Sequence, residues 1–79
     1  MSPTIFREGP YRFFFFSREE PRMHVHVASS VGEAKFWMEP DIVLAVNHGI
    51  SAHELGALKE IIEAHEQDIR TAWKLHFGG

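Results

Sequence analysis

Hydrophobic and polar residues largely alternate along two neighbouring segments, 22–27 and 32–38, which is the pattern of β-strands with two different faces. The turn Ser29–Gly32 between them predicts a hairpin in which His24 faces Trp37 and His26 faces Lys35. One face of this hairpin is apolar and consists of Met23, Val25, Val27, Ala34, Phe36 and Met38. The other face carries His24, His26, Glu33, Lys35 and Trp37. Because cross-strand neighbours lie about 5 Å apart, this second face is a candidate functional surface.

Three further segments have strand character. Thr4–Glu8 predicts a short strand, and Gly9-Pro10 predicts a turn after it. Tyr11–Ser17 contains four consecutive phenylalanines, which leave neither face of that strand polar. Ile42–Val46 predicts a fifth strand. Together with the hairpin, these segments predict a small antiparallel sheet of four or five strands.

A helix is predicted after the last strand. Ser51 and Glu54 have the spacing of a capping box, and apolar residues then recur at helical spacing as far as Trp73. A continuous helix ending near His76 would be roughly 37 Å long at 1.5 Å per residue, which is long for so small a sheet. We therefore expect either a kink near Gln67-Asp68 or an overhanging C-terminal end. The predicted fold is α+β: one domain over residues 1–79, with one long C-terminal helix packed on one face of the sheet.

The face of the sheet without the helix should be rich in aromatic side chains. If the helix covers the apolar face of the hairpin, Trp37 and two of the four phenylalanines 13–16 remain on the other face, beside His24 and His26. Contiguous aromatic surface on a small domain usually marks an interface. We therefore expect this chain to form a homodimer or to bind a second protein through the sheet, with Trp37 as the anchor. In this hypothesis the partner-binding residues are Arg22, His24, His26, Glu33, Lys35 and Trp37.

Composition narrows the classes of function. The chain of 79 residues has no cysteine, so it has no disulfide or thiolate metal site, and a reducing cytoplasm is expected. Its apolar segments are shorter than the roughly 20 residues of a membrane span, and its first residues do not resemble a signal peptide, so no membrane association is expected. The net charge of −3 does not favour nonspecific nucleic-acid binding, although a local RNA or phosphate site in the N-terminal half stays open.

The two histidines of the hairpin allow a metal hypothesis. His24 and His26 lie two residues apart on one strand face, so both imidazoles could reach one ion. Zinc requires at least three protein ligands, and Glu33 is the nearest carboxylate on that face. Zinc is therefore the one cofactor that the sequence suggests, with His24 and His26 as its ligands and otherwise no cofactor expected.

The same histidines also allow a catalytic hypothesis. An imidazole pair can supply a general base and a general acid near neutral pH, and Lys35 and Arg22 could hold a phosphate. His24, His26 and Lys35 are then the catalytic candidates of a small ribonuclease, either metal-independent or metal-dependent. The sequence leaves open whether the chain is an enzyme.

Four segments resemble a family of short bacterial proteins of unknown function: Tyr11–Ser17, Arg22–Val27, Gly32–Trp37 and Ala72–Phe77. In such families the domain is often encoded beside a second small domain, in what look like toxin–antitoxin pairs. The resemblance implies a bacterial cytoplasmic module that works with a second small protein. It implies no catalytic residue, and it agrees with the interface expected from the alternation of the strands.

Overall fold

The computed structural model describes residues 4–16 and 21–78, which form a five-stranded antiparallel sheet and two helices. The elements are β1 (Thr4–Glu8), β2 (Tyr11–Phe14), β3 (His24–Ala28), β4 (Glu33–Trp37), β5 (Val43–His48), α1 (Ala52–Ala64) and α2 (Glu66–Phe77). The order of the strands in the sheet is their order in the chain. The predicted α+β class and antiparallel sheet are therefore confirmed.

The predicted register of the β3–β4 hairpin is also confirmed. His24 pairs with Trp37, and His26 pairs with Lys35. The Met38 N–H donates to the Met23 carbonyl oxygen at 2.9 Å, which extends the same register beyond the strands. A shift of one residue would move the apolar set to the other face of the sheet. Burial of that set therefore selects this pairing.

The phenylalanine segment forms a shorter strand than predicted. β2 ends at Phe14, whereas the predicted strand reached Ser17, which lies outside the described residues. Phe13 and Phe15 are buried in the core, and Phe14 and Phe16 lie on the other side of the sheet. Two of the four phenylalanines are thus on the face with the histidines, as expected. β2 pairs with β1 on one side and β3 on the other, which explains its apolar character.

The single long helix predicted from the sequence is two helices. α1 and α2 meet at His65, two residues before the predicted kink. The His65 backbone has φ −108° and ψ 16°, outside the α-helical range, and its N–H is shared between the carbonyl oxygens of Ile61 at 3.1 Å and Ile62 at 3.2 Å. The break lets Ile62 of α1 and Ile69 of α2 both reach full burial against the sheet. A straight helix of this length would extend past it.

Both helices pack on the apolar face of the sheet, as predicted for the single helix. Leu58, Ile62, Ile69 and Trp73 from the helices share one core with the buried side chains of β2, β3 and β4. Neither helix of the described residues is long and apolar enough to cross a membrane.

The predicted capping box begins α1. The Glu54 N–H donates to Ser51 Oγ at 3.2 Å, and the Ser51 hydroxyl donates to Glu54 Oε1 at 3.0 Å. The Tyr11 hydroxyl donates to Glu54 Oε2 at 2.6 Å. This hydrogen bond raises the pKa of Tyr11 and lowers the pKa of Glu54. One carboxylate thus caps α1 and ties it to β2.

Candidate interaction face of the sheet

The sheet has one face without a helix, which we call the open face. The strand register places three rows of side chains on it. The first row is Arg7, Arg12, Ala28, Glu33 and His48; the second is Thr4, Phe14, His26, Lys35 and Val46; the third is His24, Trp37 and Val43. The structure therefore brings together the predicted site residues of β3 and β4 and adds residues from β1, β2 and β5.

Trp37 lies beside two cations on the open face. The guanidinium carbon of Arg22 is 4.2 Å from the indole ring centroid, and Lys35 Nζ is 4.3 Å from it. Both distances are within the range of a cation–π interaction. Arg22 is further held by a hydrogen bond of 2.9 Å from its Nε to the Glu39 carbonyl oxygen. Two of the other predicted partner-binding residues, Arg22 and Lys35, thus contact Trp37 directly.

His24 is buried, which corrects the expectation that both histidines lie on the surface. Its exposed fraction is 1%. β2 ends opposite His26, so the side of His24 away from β4 has no strand partner, and Trp73 of α2 contacts it there with ring centroids 5.3 Å apart. Trp37 lies edge-on at 5.5 Å. His24 therefore joins the sheet to α2.

The hydrogen bond of His24 defines its protonated nitrogen. Nδ1 lies 2.7 Å from the Arg22 carbonyl oxygen. A carbonyl oxygen can only accept a hydrogen bond, so Nδ1 carries the proton in this contact. The imidazole is thereby fixed within the packing of the sheet.

His26 is half-buried on the open face. Its ring lies 4.2 Å from the ring of Phe16 and 5.5 Å from that of Phe14. A shallow pocket of about 200 Å³ lies beside it, lined in part by Phe16, Lys35 and Val46. Its lining combines apolar side chains with polar and charged ones, which are His26, Glu33, Lys35 and His48.

The metal hypothesis still depends on the two histidines. Their rings are edge-on with centroids 5.0 Å apart. Within residues 4–16 and 21–78, no group of three or more His, Asp or Glu side chains has an arrangement that could hold a metal ion. Glu33, the nearest carboxylate on that face, pairs with Ala28 and His48 and not with His24 or His26. The zinc site at His24 and His26 stays a prediction.

Three exposed apolar side chains adjoin Lys35 and Trp37. The exposed fractions are 45% for Phe16, 42% for Val43 and 40% for Val46. The two valines were not among the residues predicted for this face, because the alternation of β5 is interrupted. The register shifts between the Lys35–Val46 and Phe36–Leu44 pairs, which leaves one extra residue in β5. The sequence feature that could have indicated this apolar surface is the pair Val43 and Val46, three residues apart in an uncharged segment.

The open face is more basic than the helices. Among the described residues it carries Arg7, Arg12, Arg22 and Lys35 and one carboxylate, Glu33. The two helices carry five carboxylates, Glu54, Glu60, Glu63, Glu66 and Asp68, and three cations, Lys59, Arg70 and Lys74. The net charge of −3 for the chain therefore conceals a cationic face. Arg7 and Arg12 were not among the residues predicted for this face, although their register in the β1–β2 hairpin follows from the Gly9-Pro10 turn.

Comparison with known proteins identifies a family without an assigned activity. No curated protein and no solved structure matches the chain. The model of a family described as a domain of unknown function, DUF4160, matches residues 11–74. This range includes β2 to β5, all of α1 and most of α2. Since the match spans most of the sequence, the chain belongs to the DUF4160 family.

Proposed function

We propose that this chain is a protein-interaction module, one member of a bacterial toxin–antitoxin-like or regulatory pair in the cytoplasm. Its partner protein binds the open face. The observation that carries the proposal is the position of Trp37, between two cations and beside exposed apolar side chains on a face without a helix. Tryptophan and arginine are the residue types that most often dominate binding energy at interfaces.

The apolar surroundings of Trp37 support this function. Phe16, Val43 and Val46 are each at least 40% exposed and lie on the same face. Exposed apolar side chains that form a contiguous patch mark protein interaction sites more often than scattered ones do. The cations Arg22 and Lys35 provide the polar rim that interfaces commonly have around an apolar centre.

The alternative, RNA cleavage by the histidine pair, receives less support. A general acid or base must come within hydrogen-bond distance of the proton that it transfers. The His24 side chain is 1% exposed and its Nδ1 contacts a backbone carbonyl, so it does not face a substrate on the open face. His26 and Lys35 remain on that face but do not by themselves provide the acid and base pair of the hypothesis.

Co-purification from the native cell tests the proposed function. The tagged wild-type chain and the Trp37→Ala variant are compared, with Leu75→Ala as the matched control because Leu75 is 82% exposed on α2, away from the open face. If Trp37 is a hot spot, its removal weakens association by about 2 kcal/mol or more. Sedimentation of the wild-type chain and of the same two variants tests whether the chain forms a homodimer through this face.

Two results decide the outcome. We expect the partner to be lost with Trp37→Ala and kept with Leu75→Ala. A Trp37→Ala variant that has the wild-type circular dichroism spectrum and keeps the partner would refute the proposed surface. Val46→Asp, which changes an exposed side chain, provides a second test if Trp37→Ala does not fold.

A further inference from the structure

We infer that β5 pairs antiparallel with β5 of a second copy of this chain, so that two sheets join at their edges. Val43 then lies opposite Val46 of the second copy. This pairing uses the edge of the sheet and goes beyond the proposed function, which concerns the open face. Three features support it: the difference between the two edges, the extent of the helical layer and the bulge in β5.

The two edge strands of the described sheet differ in charge. β1 is one edge strand and β5 is the other. β1 carries Arg7 and Glu8 among its five residues, and charged side chains on an edge strand hinder the addition of another strand. The six residues of β5 include no Asp, Glu, Lys, Arg or Pro, so this edge lacks the residues that usually protect an edge. The outward N–H and C=O groups of such a strand are a template for a further strand.

The helical layer does not cover β5. Leu44 pairs with the buried Phe36 and so lies on the core face of the sheet, yet it is 44% exposed. Among the described residues, the core cluster includes side chains of β2, β3 and β4 but none of β5. A second sheet beside β5 would cover Leu44, and burial of this apolar surface would stabilise the association.

The bulge in β5 places two apolar residues on one face at an odd spacing. Val43 pairs with Trp37 and Val46 pairs with Lys35, so both valines lie on the open face. In a regular strand, residues three apart lie on opposite faces of the sheet and cannot be cross-strand partners. The extra residue, Ala45, shifts the alternation by one position and removes this obstacle.

A two-fold axis between Leu44 and Ala45 therefore gives a register in which β5 matches itself. Val43 lies opposite Val46 on the open face, and Leu44 meets Ala45 at the axis. Beyond them, Asp41 comes opposite His48; both are exposed, and an imidazole N–H can donate to a carboxylate. Each of these contacts occurs twice about the axis. This self-complementarity indicates a second copy and not a strand of another protein.

The two open faces lie on the same side of such a dimer, because the two-fold axis is perpendicular to the sheet. Trp37 of each copy lies on β4, next to β5. The two indoles are therefore three strand spacings apart across the joined sheet, about 14 Å. The dimer would present one wide surface with two anchors to the partner of the proposed function.

Sedimentation velocity of the full chain over a range of concentrations tests this pairing. One strand from each copy forms a small interface, below about 1,200 Å², which is typical of weak complexes, so we expect a dimer that forms as the concentration rises. Leu44→Lys places two like charges near the axis and should weaken the dimer about tenfold or more. Leu75→Lys, the same substitution at a side chain that is 82% exposed on α2, should leave the dimer unchanged.

Cysteine cross-linking tests the register, since the chain has no cysteine of its own. Val43→Cys and Val46→Cys are mixed under oxidising conditions, and we expect a disulfide-linked dimer whose mass corresponds to one copy of each variant. Either variant alone places its two cysteines about 8 Å apart at the usual strand spacings. This distance exceeds the roughly 7 Å between Cα atoms that a disulfide spans, so each single variant should remain unlinked. Cross-linking also decides the matter if Leu44→Lys does not fold.

Several results would overturn the inference. A chain that stays monomeric at every concentration refutes it, as does an equal effect of Leu44→Lys and Leu75→Lys. A dimer that Trp37→Ala dissociates and Leu44→Lys leaves intact is held by the open face and also refutes it. A mixture of the two cysteine variants that forms no more linked dimer than either variant alone refutes the register.

The proposed function fails by a different result. If Trp37→Ala keeps the native partner, the proposed function is wrong, whatever the state of association at β5. If the chain is monomeric and Trp37→Ala loses the native partner, only the pairing at β5 is wrong and the proposed function stands.

Discussion

Tyr11 and Glu54 are joined by a hydrogen bond of 2.6 Å from the tyrosine hydroxyl to the carboxylate, which connects β2 to the first turn of α1. Glu54 also contacts Ser51, the N-cap residue, through its other oxygen at 3.0 Å. A single carboxylate therefore holds the start of the helical layer against the sheet.

Tyr11→Phe is expected to lower the melting temperature at neutral pH. It should also make the melting temperature depend less on pH in the acidic and alkaline ranges. The Tyr11 hydrogen bond is the main reason that the pKa of Glu54 lies below 4.5. Because the pKa of Glu54 is lower in the folded state than in the unfolded state, its ionisation stabilises the fold above the unfolded-state pKa. This stabilisation is lost as the pH falls through the folded-state pKa. The pKa of Tyr11 is raised above 10.0, so its stability is present below that value and is lost as the pH rises through the folded pKa.

Melting temperatures across the acidic and alkaline ranges check this expectation. Glu54→Gln serves as the comparison, since it removes the titrating carboxylate but keeps an acceptor oxygen for Tyr11. Identical pH profiles for Tyr11→Phe and the wild type would show that this hydrogen bond does not contribute to stability.

Two glycine-to-alanine substitutions are expected to have opposite effects. A Cβ at Gly32 would collide with the His48 carbonyl oxygen of β5, so Gly32→Ala should destabilise the chain by about 1–3 kcal/mol, as overpacking does. Gly56 is exposed within α1 and has nothing within 4 Å of an added Cβ, so Gly56→Ala should stabilise by about 0.5–1 kcal/mol. Urea denaturation measures both, and a stabilising Gly32→Ala would contradict the approach of the β3–β4 turn to β5.

His24 and His26 are expected to contribute differently to stability, because His24 is buried and His26 lies on the open face. His24→Ala removes a buried ring and leaves the Arg22 carbonyl oxygen without its donor, which should destabilise the chain by about 3 kcal/mol. His26→Ala removes a half-buried ring of the open face and should have a smaller effect on stability. Chemical denaturation of the two variants compares them directly. Equal losses of stability would argue against the structural role of His24.

Zinc provides an independent test of the metal hypothesis. Two imidazoles are fewer than the three protein ligands that zinc requires, and His24 Nδ1 contacts the Arg22 carbonyl. We expect the melting temperature to be unchanged when zinc is added. An increase that His26→Ala abolishes would establish the zinc site instead.

The register of the β3–β4 hairpin could be predicted because its two faces differ chemically. Met23, Val25 and Val27 alternate with polar residues, and any shift by one position would expose them. The capping box at Ser51 was predictable for a similar reason, since its hydrogen bonds are local. Both features depend on residues that are close in the sequence.

The burial of His24 and the helix break at His65 depend on contacts between distant elements. Trp73 covers His24 from α2, where its helical spacing indicated only a core position. His65 contacts Glu8 of β1 at 3.3 Å and stacks on Phe6 at 4.3 Å. No pattern within the helix indicates such partners. The composition of the open face was predictable for β3 and β4 and not for β5, whose alternation is interrupted.

The order of the strands has a consequence for synthesis of the protein. Each strand pairs with the next one along the chain, so every pairing closes a short loop, and such local topology favours fast folding. All five strands precede both helices in the chain, so the strands leave the ribosome first and can pair before α1 and α2 emerge. During that interval the core face of the sheet is exposed to solvent, and a nascent chain in this state is expected to be prone to aggregation.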